Sequence, residues 1–502
     1  MNRRILPVVE RYLASLDQVF ADLDVATRGR RGPKGAPLKA CIGAVIYNLL
    51  AHKPPTVLGA ARTLRDETSP AELAVFGLSA PPSCYSVYRT FGRLNRVLAS
   101  RNFSVDPENP PASLDALLAA SDDPALRAVL HEMLRSASTP TSGEAQDGLW
   151  SLDTTYLDSN CRPISHEAYD AGDRASDPDA SGRIIARPGV DPKKYFGYRL
   201  TSASRSQGEH EYIDAFRIGT ASSHDRPAAL EIAADLVARG EPIRYLAIDR
   251  GFNSAAVFAD LRALGVEPVF DFNKGTDRLE GVFRGLLIVG GWLHSPALPE
   301  RLRSLPPKPV GPPAAEVDEW CRLHDERQRY AWRIRCVRGP GDVQLMPPVG
   351  VGCKHVSMRP SMRDRDLALK TCPGEHGPDE GCCLNTVLWK AENAPMTWQA
   401  YPWGSKKWRR LYKLRSSVER NYSLLKNSDI VDVSHARIRL RTIGKVSLML
   451  AMAVAATNLH LANCEIFSDR RVTPLARLNS TLPHHNDWPP ESFGSRHNTG
   501  RR

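Results

Sequence analysis

The chain has 502 residues, 42% of them hydrophobic and 25% charged, with a formal net charge of +11. This balance excludes an intrinsically disordered chain and suffices for two or three globular domains. The excess of basic residues favours a polyanionic partner. An amphipathic segment rather than a long apolar one follows Met1, so we expect no signal peptide and no membrane association. We expect a cytoplasmic protein with reduced cysteines.

The first hundred residues carry the apolar spacing of helices. Helices are predicted at 6–23, 37–51, 57–66 and 83–98. Arg89, Arg93 and Arg96 fall on the last of these. Two interpretations stand: a helix-turn-helix that binds a DNA end, or a plain helical bundle with solvated arginines. A polar segment at 104–147 is predicted to be a linker.

Strand patterns dominate from residue 148. The predicted order is three strands, helix, strand, helix, strand, at 149–155, 197–204, 212–220, 224–238, 243–248, 254–264 and 267–272. This order predicts a mixed α/β sheet, in which functional residues gather at strand ends and in the loops that follow. Asp153 ends the first strand, with Asp158 as a nearby alternative, and Asp249 follows the fourth. A turn-forming role competes for Asp249.

The alternation of strands and helices stops at residues 273–401, which we predict to form an inserted subdomain. Within it we expect a helix at 315–330 and strands at 330–338 and 342–346. Its cysteine and histidine cluster comprises Cys353, His355, Cys372, His376, Cys382 and Cys383. Thiolate and imidazole groups at such spacing can form a structural zinc site. The best ligand set is Cys353, Cys372, Cys382 and one of His376 or Cys383. Reduced cysteines without metal are the alternative, because the segment lacks paired Cys-x-x-Cys motifs.

A third acid, Glu419, lies within the pattern Tyr412-x2-Arg415-x3-Glu419-x6-Lys426. On one helix, at about 100° per residue, these four side chains span an arc of roughly 60°. An adjoining apolar stripe predicts a helix that packs one side on a core and presents a polar edge to a substrate. An ordinary amphipathic helix is the alternative.

Positive charge concentrates around this pattern. Between residues 401 and 445 the chain has twelve Lys or Arg and three acids, which favours a phosphate backbone at this place. Four of the cations directly precede the pattern: Lys406, Lys407, Arg409 and Arg410. Trp403 and Trp408 beside them favour stacking on nucleic acid. A helix at 440–463 is predicted to pack on the core.

The three acids come from separate elements, and three such carboxylates can hold two divalent metal ions that cut and join phosphodiester bonds. With the four-residue pattern, they resemble the DDE transposases of bacterial insertion sequences. The resemblance covers residues 148–463 and rests on 151–155, 249–252 and that pattern. It implies an α/β fold with an RNase H-like mixed-sheet catalytic core, an inserted subdomain and an all-helical N-terminal domain.

The implied domains are a helical DNA-binding region, a linker, the first part of the core, the insertion, the second part of the core with the Glu419 helix, and a disordered basic tail. Their bounds are 1–103, 104–147, 148–272, 273–401, 402–464 and 465–502.

The resemblance further implies that Asp153, Asp249 and Glu419 are the catalytic residues and bind two Mg²⁺ ions, for which Mn²⁺ substitutes. The implied activity is binding of terminal inverted repeats, metal-dependent strand cleavage and strand transfer, by a homodimer on paired ends of double-stranded DNA. The implied DNA-binding residues are Tyr412, Arg415, Lys426, Lys406, Lys407, Arg409 and Arg410. The alternatives are a metal-dependent DNA nuclease of the same fold and an inactive, domesticated relative that only binds DNA.

Overall fold

The computed structural model describes residues 1–21, 35–53, 55–99, 148–161, 163, 176–187, 190–207, 210–273, 275–306, 314–339, 342–348, 386–390, 397–427, 430–433 and 440–463. The predicted linker, the basic tail and the zinc candidates Cys353, His355, Cys372, His376, Cys382 and Cys383 lie outside these residues. The chain forms two compact units. Unit 1 comprises Met1–Glu241 and Ser416–Arg477, and unit 2 comprises Pro242–Arg415 and Leu478–Arg502. The predicted insertion at 273–401 falls within unit 2.

The N-terminal part of unit 1 is helical, as predicted. Its helices are α1 Leu6–Ser15, α2 Leu38–Leu50, α3 Val57–Asp66, α4 Pro70–Val75 and α5 Cys84–Ala99. Thr56 caps α3 by accepting from the backbone N of Gly59 at 2.9 Å, and Ser69 and Glu72 form a capping box on α4. The short α4 was not predicted. The side chains of Arg93 and Arg96 on α5 are not among the described residues.

Four antiparallel strands form the sheet of unit 1. They are β1 Leu149–Asp158, β2 Ser181–Arg187, β3 Val190–Gln207 and β4 His210–Thr220. β3 pairs with each of the other three. It is longer than predicted, and β2 was not predicted, because their exposed residues lack the apolar alternation of a half-buried strand. Helix α6 Asp225–Ala238 follows β4.

The core of unit 1 is built around its last two helices, α10 Arg415–Leu425 and α11 Ile443–Ala462. α11 is long and apolar enough to span a membrane, but 89% of its most apolar window is buried inside the protein. It is therefore the core helix that the sequence predicts at 440–463. Asn458 fixes it to β4, because its side chain donates to Ile213 O at 2.8 Å and accepts from Ile213 N at 3.3 Å.

Unit 2 begins with a strand, helix, strand repeat: β5 Tyr245–Ile248, α7 Ala255–Ala263 and β6 Glu267–Phe270. β5 and β6 are parallel, so the chain has both antiparallel and parallel strand pairs and is a mixed α/β protein. Two antiparallel three-stranded sheets and two helices follow. They are β7 Leu279–Phe283, β8 Leu286–Val289, β9 Trp292–His294, α8 Ala314–Gln328, β10 Arg333–Gly339, β11 Asp342–Met346, β12 Val387–Trp389 and α9 Lys406–Tyr412.

Aromatic stacking and a buried ion pair hold unit 2 together. The rings of Trp292 and Trp398 stack with their centres 4.2 Å apart. Arg327, on α8, donates two hydrogen bonds to the carboxylate of Asp277, at 2.6 and 2.7 Å. Both side chains are almost fully buried, at 5% and 6% exposure. Each charge therefore depends on the other for its compensation.

Candidate functional site

Asp153 lies in the middle of β1 rather than at its end. The predicted strand end is wrong because Thr154, Thr155 and Tyr156, which favour strands, continue the pairing with β3. Asp153 itself pairs with Ser202. Its side chain is half-buried, and its Oδ1 accepts from the backbone N of Thr154 at 2.7 Å.

Tyr422 attaches helix α10 to this part of β1. Its buried hydroxyl donates to the backbone O of Asp153 at 2.5 Å and accepts from Ser202 Oγ at 2.9 Å. Burial first, and then the charge of Asp153, raise the pKa of this hydroxyl well above its ordinary value. The exposed Glu419 precedes Tyr422 by three residues, and side chains so spaced are neighbours on a helix. Glu419 therefore lies about one helical turn before the residue that bonds to Asp153.

We expect Tyr422→Phe to destabilise unit 1 by about 1–3 kcal/mol, because Asp153 O and Ser202 Oγ lose a buried partner. Urea unfolding followed by circular dichroism measures the change. Tyr85→Phe is the control, since Tyr85 is 66% exposed. Equal stability of the two variants would show that the Tyr422 hydroxyl does not fix α10 to β1.

Lys426 also bonds to β1. Its Nζ donates to Thr155 Oγ1 at 2.6 Å and to Tyr156 O at 3.0 Å. Burial, followed by the charge of Lys193, lowers the pKa of Lys426. An ammonium has three N–H donors, so these two bonds leave one for a phosphate oxygen. Asp153 and Lys426 thus belong to the contact of β1 with α10, and Glu419 lies on the same helix.

Asp249 lies in unit 2, directly after β5 as predicted. It occupies the N-cap position of the short 3₁₀ helix Arg250–Phe252, yet its side chain makes no capping hydrogen bond there. The side chain is 45% exposed, and its Oδ1 lies 3.9 Å from Arg415 Nη1. Because the capping bond is absent, the turn-forming interpretation does not account for its carboxylate.

Arg415 lies between Asp249 and Tyr412. Its guanidinium is 5.8 Å from the centre of the Tyr412 ring, and that ring stacks on Trp408 at 4.7 Å. Burial raises the pKa of the Tyr412 hydroxyl, with Arg415 opposing and Asp271 and Asp249 adding to the shift. Arg415, the second residue of the four-residue pattern, therefore lies against the second predicted catalytic acid, with Tyr412 next to it.

The four-residue pattern does not lie on one helix. α9 ends at Tyr412 and α10 begins at Arg415. Leu414 N bonds to Leu411 O at 3.2 Å, which tightens the last turn and ends α9. The predicted arc of four side chains on a single helix is therefore wrong. Tyr412 and Arg415 belong to unit 2, whereas Glu419 and Lys426 belong to unit 1.

The cations before the pattern differ in their contacts. Lys406 and Lys407 are exposed, and Arg410 is half-exposed. Arg409 instead binds within the protein, donating to Gly404 O at 2.6 Å and to the Asp325 carboxylate at 2.9 and 3.1 Å. Its guanidinium therefore serves the packing of α9 on α8.

Trp403 and Trp408 are buried, at 5% and 1% exposure. Their indole N–H groups donate within the protein, Trp403 to Asp271 Oδ1 at 2.9 Å and Trp408 to Gln399 Oε1 at 2.9 Å. The prediction that these rings stack on nucleic acid is wrong, because their faces already pack in the interior of unit 2.

Asp271 is a residue of this region that we did not predict. It is 3% exposed and accepts from Arg250 Nη2 at 2.7 Å as well as from Trp403. The bond orients Arg250, whose side chain is 43% exposed, beside Asp249. Asp271 follows β6 directly, so the strand-end argument that found Asp249 applies to it equally.

The three acids suit a divalent metal ion in their chemistry. Carboxylate oxygens are the hard donors that Mg²⁺ and Mn²⁺ prefer, and neither Asp153, Asp249 nor Glu419 is buried. Within the described ranges, however, no three Asp, Glu, His or Cys side chains form a group that could hold a metal ion. The oxygen ligands suit a metal ion, whereas the described residues contain no group of side chains already arranged to bind one.

No family model matches the chain, no curated protein matches it, and no solved structure matches it.

Proposed function

We propose that the chain is a DNA transposase with an RNase H-like catalytic core, which binds inverted repeats at DNA ends and catalyses metal-dependent strand cleavage and strand transfer. Its partner is double-stranded DNA, and it acts in the cytoplasm as a homodimer on paired ends. The resemblance to the DDE transposases of insertion sequences motivates the proposal, and the contacts of Asp153 and Asp249 support it.

One observation carries the proposal. Arg415 of the four-residue pattern contacts one strand acid directly, and the helix that carries Glu419 is bonded to the backbone of the other. Arg415 lies 3.9 Å from Asp249, and the Glu419 helix bonds to the backbone of Asp153 through Tyr422. An amphipathic helix with a merely solvated polar side would not need these contacts, so they favour a shared chemical role for the pattern.

In this proposal Asp153, Asp249 and Glu419 hold two Mg²⁺ or Mn²⁺ ions. When bound, such ions activate a hydroxyl group and stabilise the leaving oxygen of an in-line displacement. Arg415 binds a phosphate oxygen and balances the negative charge of Asp249. Tyr412 orients that guanidinium, and Lys426 uses its remaining N–H on the backbone near β1. The protein forms no covalent bond to DNA.

Two assays test the proposal. Sequencing the DNA that flanks the gene identifies short inverted repeats, which then serve as substrates. Pre-cut repeat ends incubated with the full chain, Mg²⁺ and a target plasmid should yield joined products. Cleavage without joining would instead assign the chain as a nuclease. Binding without either reaction would assign it as a DNA-binding relative without activity.

We expect Arg415→Ala to weaken DNA binding. The plot of log affinity against log salt concentration should become less steep by about 1, as for one lost phosphate contact. A filter-binding titration at several salt concentrations measures this slope. The control is Arg278→Ala, which removes an exposed cation of the same unit. If both variants show the slope of the unsubstituted protein, Arg415 does not contact phosphate.

A further inference from the structure

The strand pair β2 and β3 extends beyond the sheet of unit 1. β1 pairs with β3 only at 197–205, and β4 pairs with it only at 198–207. Residues 190–196 therefore pair with β2 alone. We name the two-stranded ribbon of residues 181–187 and 190–196 the β-arm.

The exposed side chains of the β-arm are mainly cationic. Arg183, Lys193 and Lys194 are exposed, and Asp191 is the one exposed acid among the described side chains of the arm. Lys194 pairs with Ile184, while Lys193 pairs with Ile185. Since paired residues share a face and successive residues alternate, Arg183 and Lys193 lie on one face and Lys194 on the other. Both faces are therefore positive.

Two of these cations have acids of unit 1 in their surroundings, since Arg183 opposes the rise in the pKa of Asp225 and Asp158 adds to the rise in the pKa of Lys193. Neither the Arg183 guanidinium nor the Lys194 ammonium forms an ion pair with a described residue. Ile184 between them is 62% exposed. A strand that served only the core would bury its apolar residue and would not need cations on both faces, so the surface is suited to a partner.

The base of the arm is fixed by aromatic contacts. The rings of Tyr195 and Tyr156 stack at 4.7 Å, and Lys193 Nζ lies 4.9 Å from the centre of the Tyr195 ring. Lys193 and Lys426 are close enough for the charge of one to affect the pKa of the other. The arm thus begins beside the contact of β1 with α10, and its cations extend the positive surface from Lys426 outward.

We propose that the β-arm binds the sugar-phosphate backbone of duplex DNA, on the side of the Lys426 contact. The inference rests on the proposed function, because duplex DNA is the partner that function requires. A two-stranded ribbon fits the dimensions of the major groove, and phosphate contacts by Lys and Arg position a protein without reading sequence. The arm therefore adds affinity for duplex DNA of any sequence.

The test replaces Arg183, Lys193 and Lys194 with glutamine in the full chain. A random-sequence 40-base-pair duplex is the probe, titrated at several salt concentrations. Loss of three phosphate contacts makes the dependence of log affinity on log salt concentration less steep by about 2 to 3. The charge-matched control replaces the exposed residues Arg278, Arg284 and Arg335 with glutamine and keeps the slope of the unsubstituted protein. A second control, Arg183→Lys with Lys194→Arg, keeps the charge and binds as that protein does.

The possible outcomes separate the two proposals. A reduced slope in the arm variant alone supports the β-arm, even when strand transfer is not detected. An unchanged slope in the arm variant, or an equal reduction in the charge-matched control, overturns the β-arm proposal and leaves the transposase proposal intact. No salt-dependent binding by the unsubstituted protein overturns both.

Discussion

Asp249→Ala is expected to lower the rate of DNA strand cleavage by more than about 100-fold. Loss of a residue that only supports a metal ligand costs about 10- to 100-fold, and loss of a metal ligand itself should cost more. DNA affinity should stay the same or rise slightly, because a negative charge near the phosphates is removed. The fold should persist, since Asp249 is 45% exposed and its 3.9 Å contact with Arg415 is a partly exposed ion pair worth about 0–1 kcal/mol.

The measurement pairs a cleavage assay on repeat ends with a binding titration on the same DNA. Asp260→Ala is the control, because Asp260 is an acid of the neighbouring helix α7 with no predicted catalytic role. Cleavage that survives in the Asp249 variant would remove Asp249 from the active site. Loss of cleavage in the control as well would point to a general effect of charge in this unit.

Asp277→Ala is expected to destabilise unit 2 by about 3–5 kcal/mol, because it leaves the guanidinium of Arg327 buried without a counter-charge. Arg327 is 5% exposed, and the pair is joined by two hydrogen bonds. Burial of the unpaired charge is the main cost, so a double variant, Asp277→Ala with Arg327→Met, should recover most of the lost stability.

Urea unfolding followed by circular dichroism tests this expectation. The matched control is Glu319→Ala, which breaks an ion pair of the same helix α8 whose partners are 53% and 62% exposed. That change should cost little stability, because water already screens an exposed ion pair. Similar losses for the Asp277 and Glu319 variants would mean that solvent reaches the Asp277–Arg327 pair.

Local patterns in the sequence predicted the elements whose apolar residues face a core. The helix predicted at 57–66 matches α3, and the strand order from β3 to β6 follows the prediction. These elements are found because burial of one face enforces a period of two or 3.6 residues. The same argument placed Asp249 directly after β5, since a short, fully apolar strand has a clear end.

Features set by tertiary contact escaped prediction. Nothing in the spacing from Tyr412 to Lys426 shows that α9 ends before Arg415, because the chain there has no glycine or proline. The hydrogen bonds of the Tyr422 hydroxyl to β1 and β3 were not predicted, because the Tyr422 ring belongs to the apolar stripe of the helix. The burial of Trp403 depends on Asp271, more than a hundred residues earlier in the chain. Long-range partners of this kind leave no local periodicity.

The placement of the tryptophans gives the two units different spectroscopic signals. Trp150 is the one tryptophan of unit 1 within the described residues, whereas unit 2 holds the others described there: Trp292, Trp320, Trp332, Trp389, Trp398, Trp403 and Trp408. Intrinsic tryptophan fluorescence therefore reports mainly on unit 2. The long helix α11 of unit 1 contributes nothing to it, because the helix contains no tryptophan. Emission recorded during unfolding can assign a transition to one unit without any label attached to the protein.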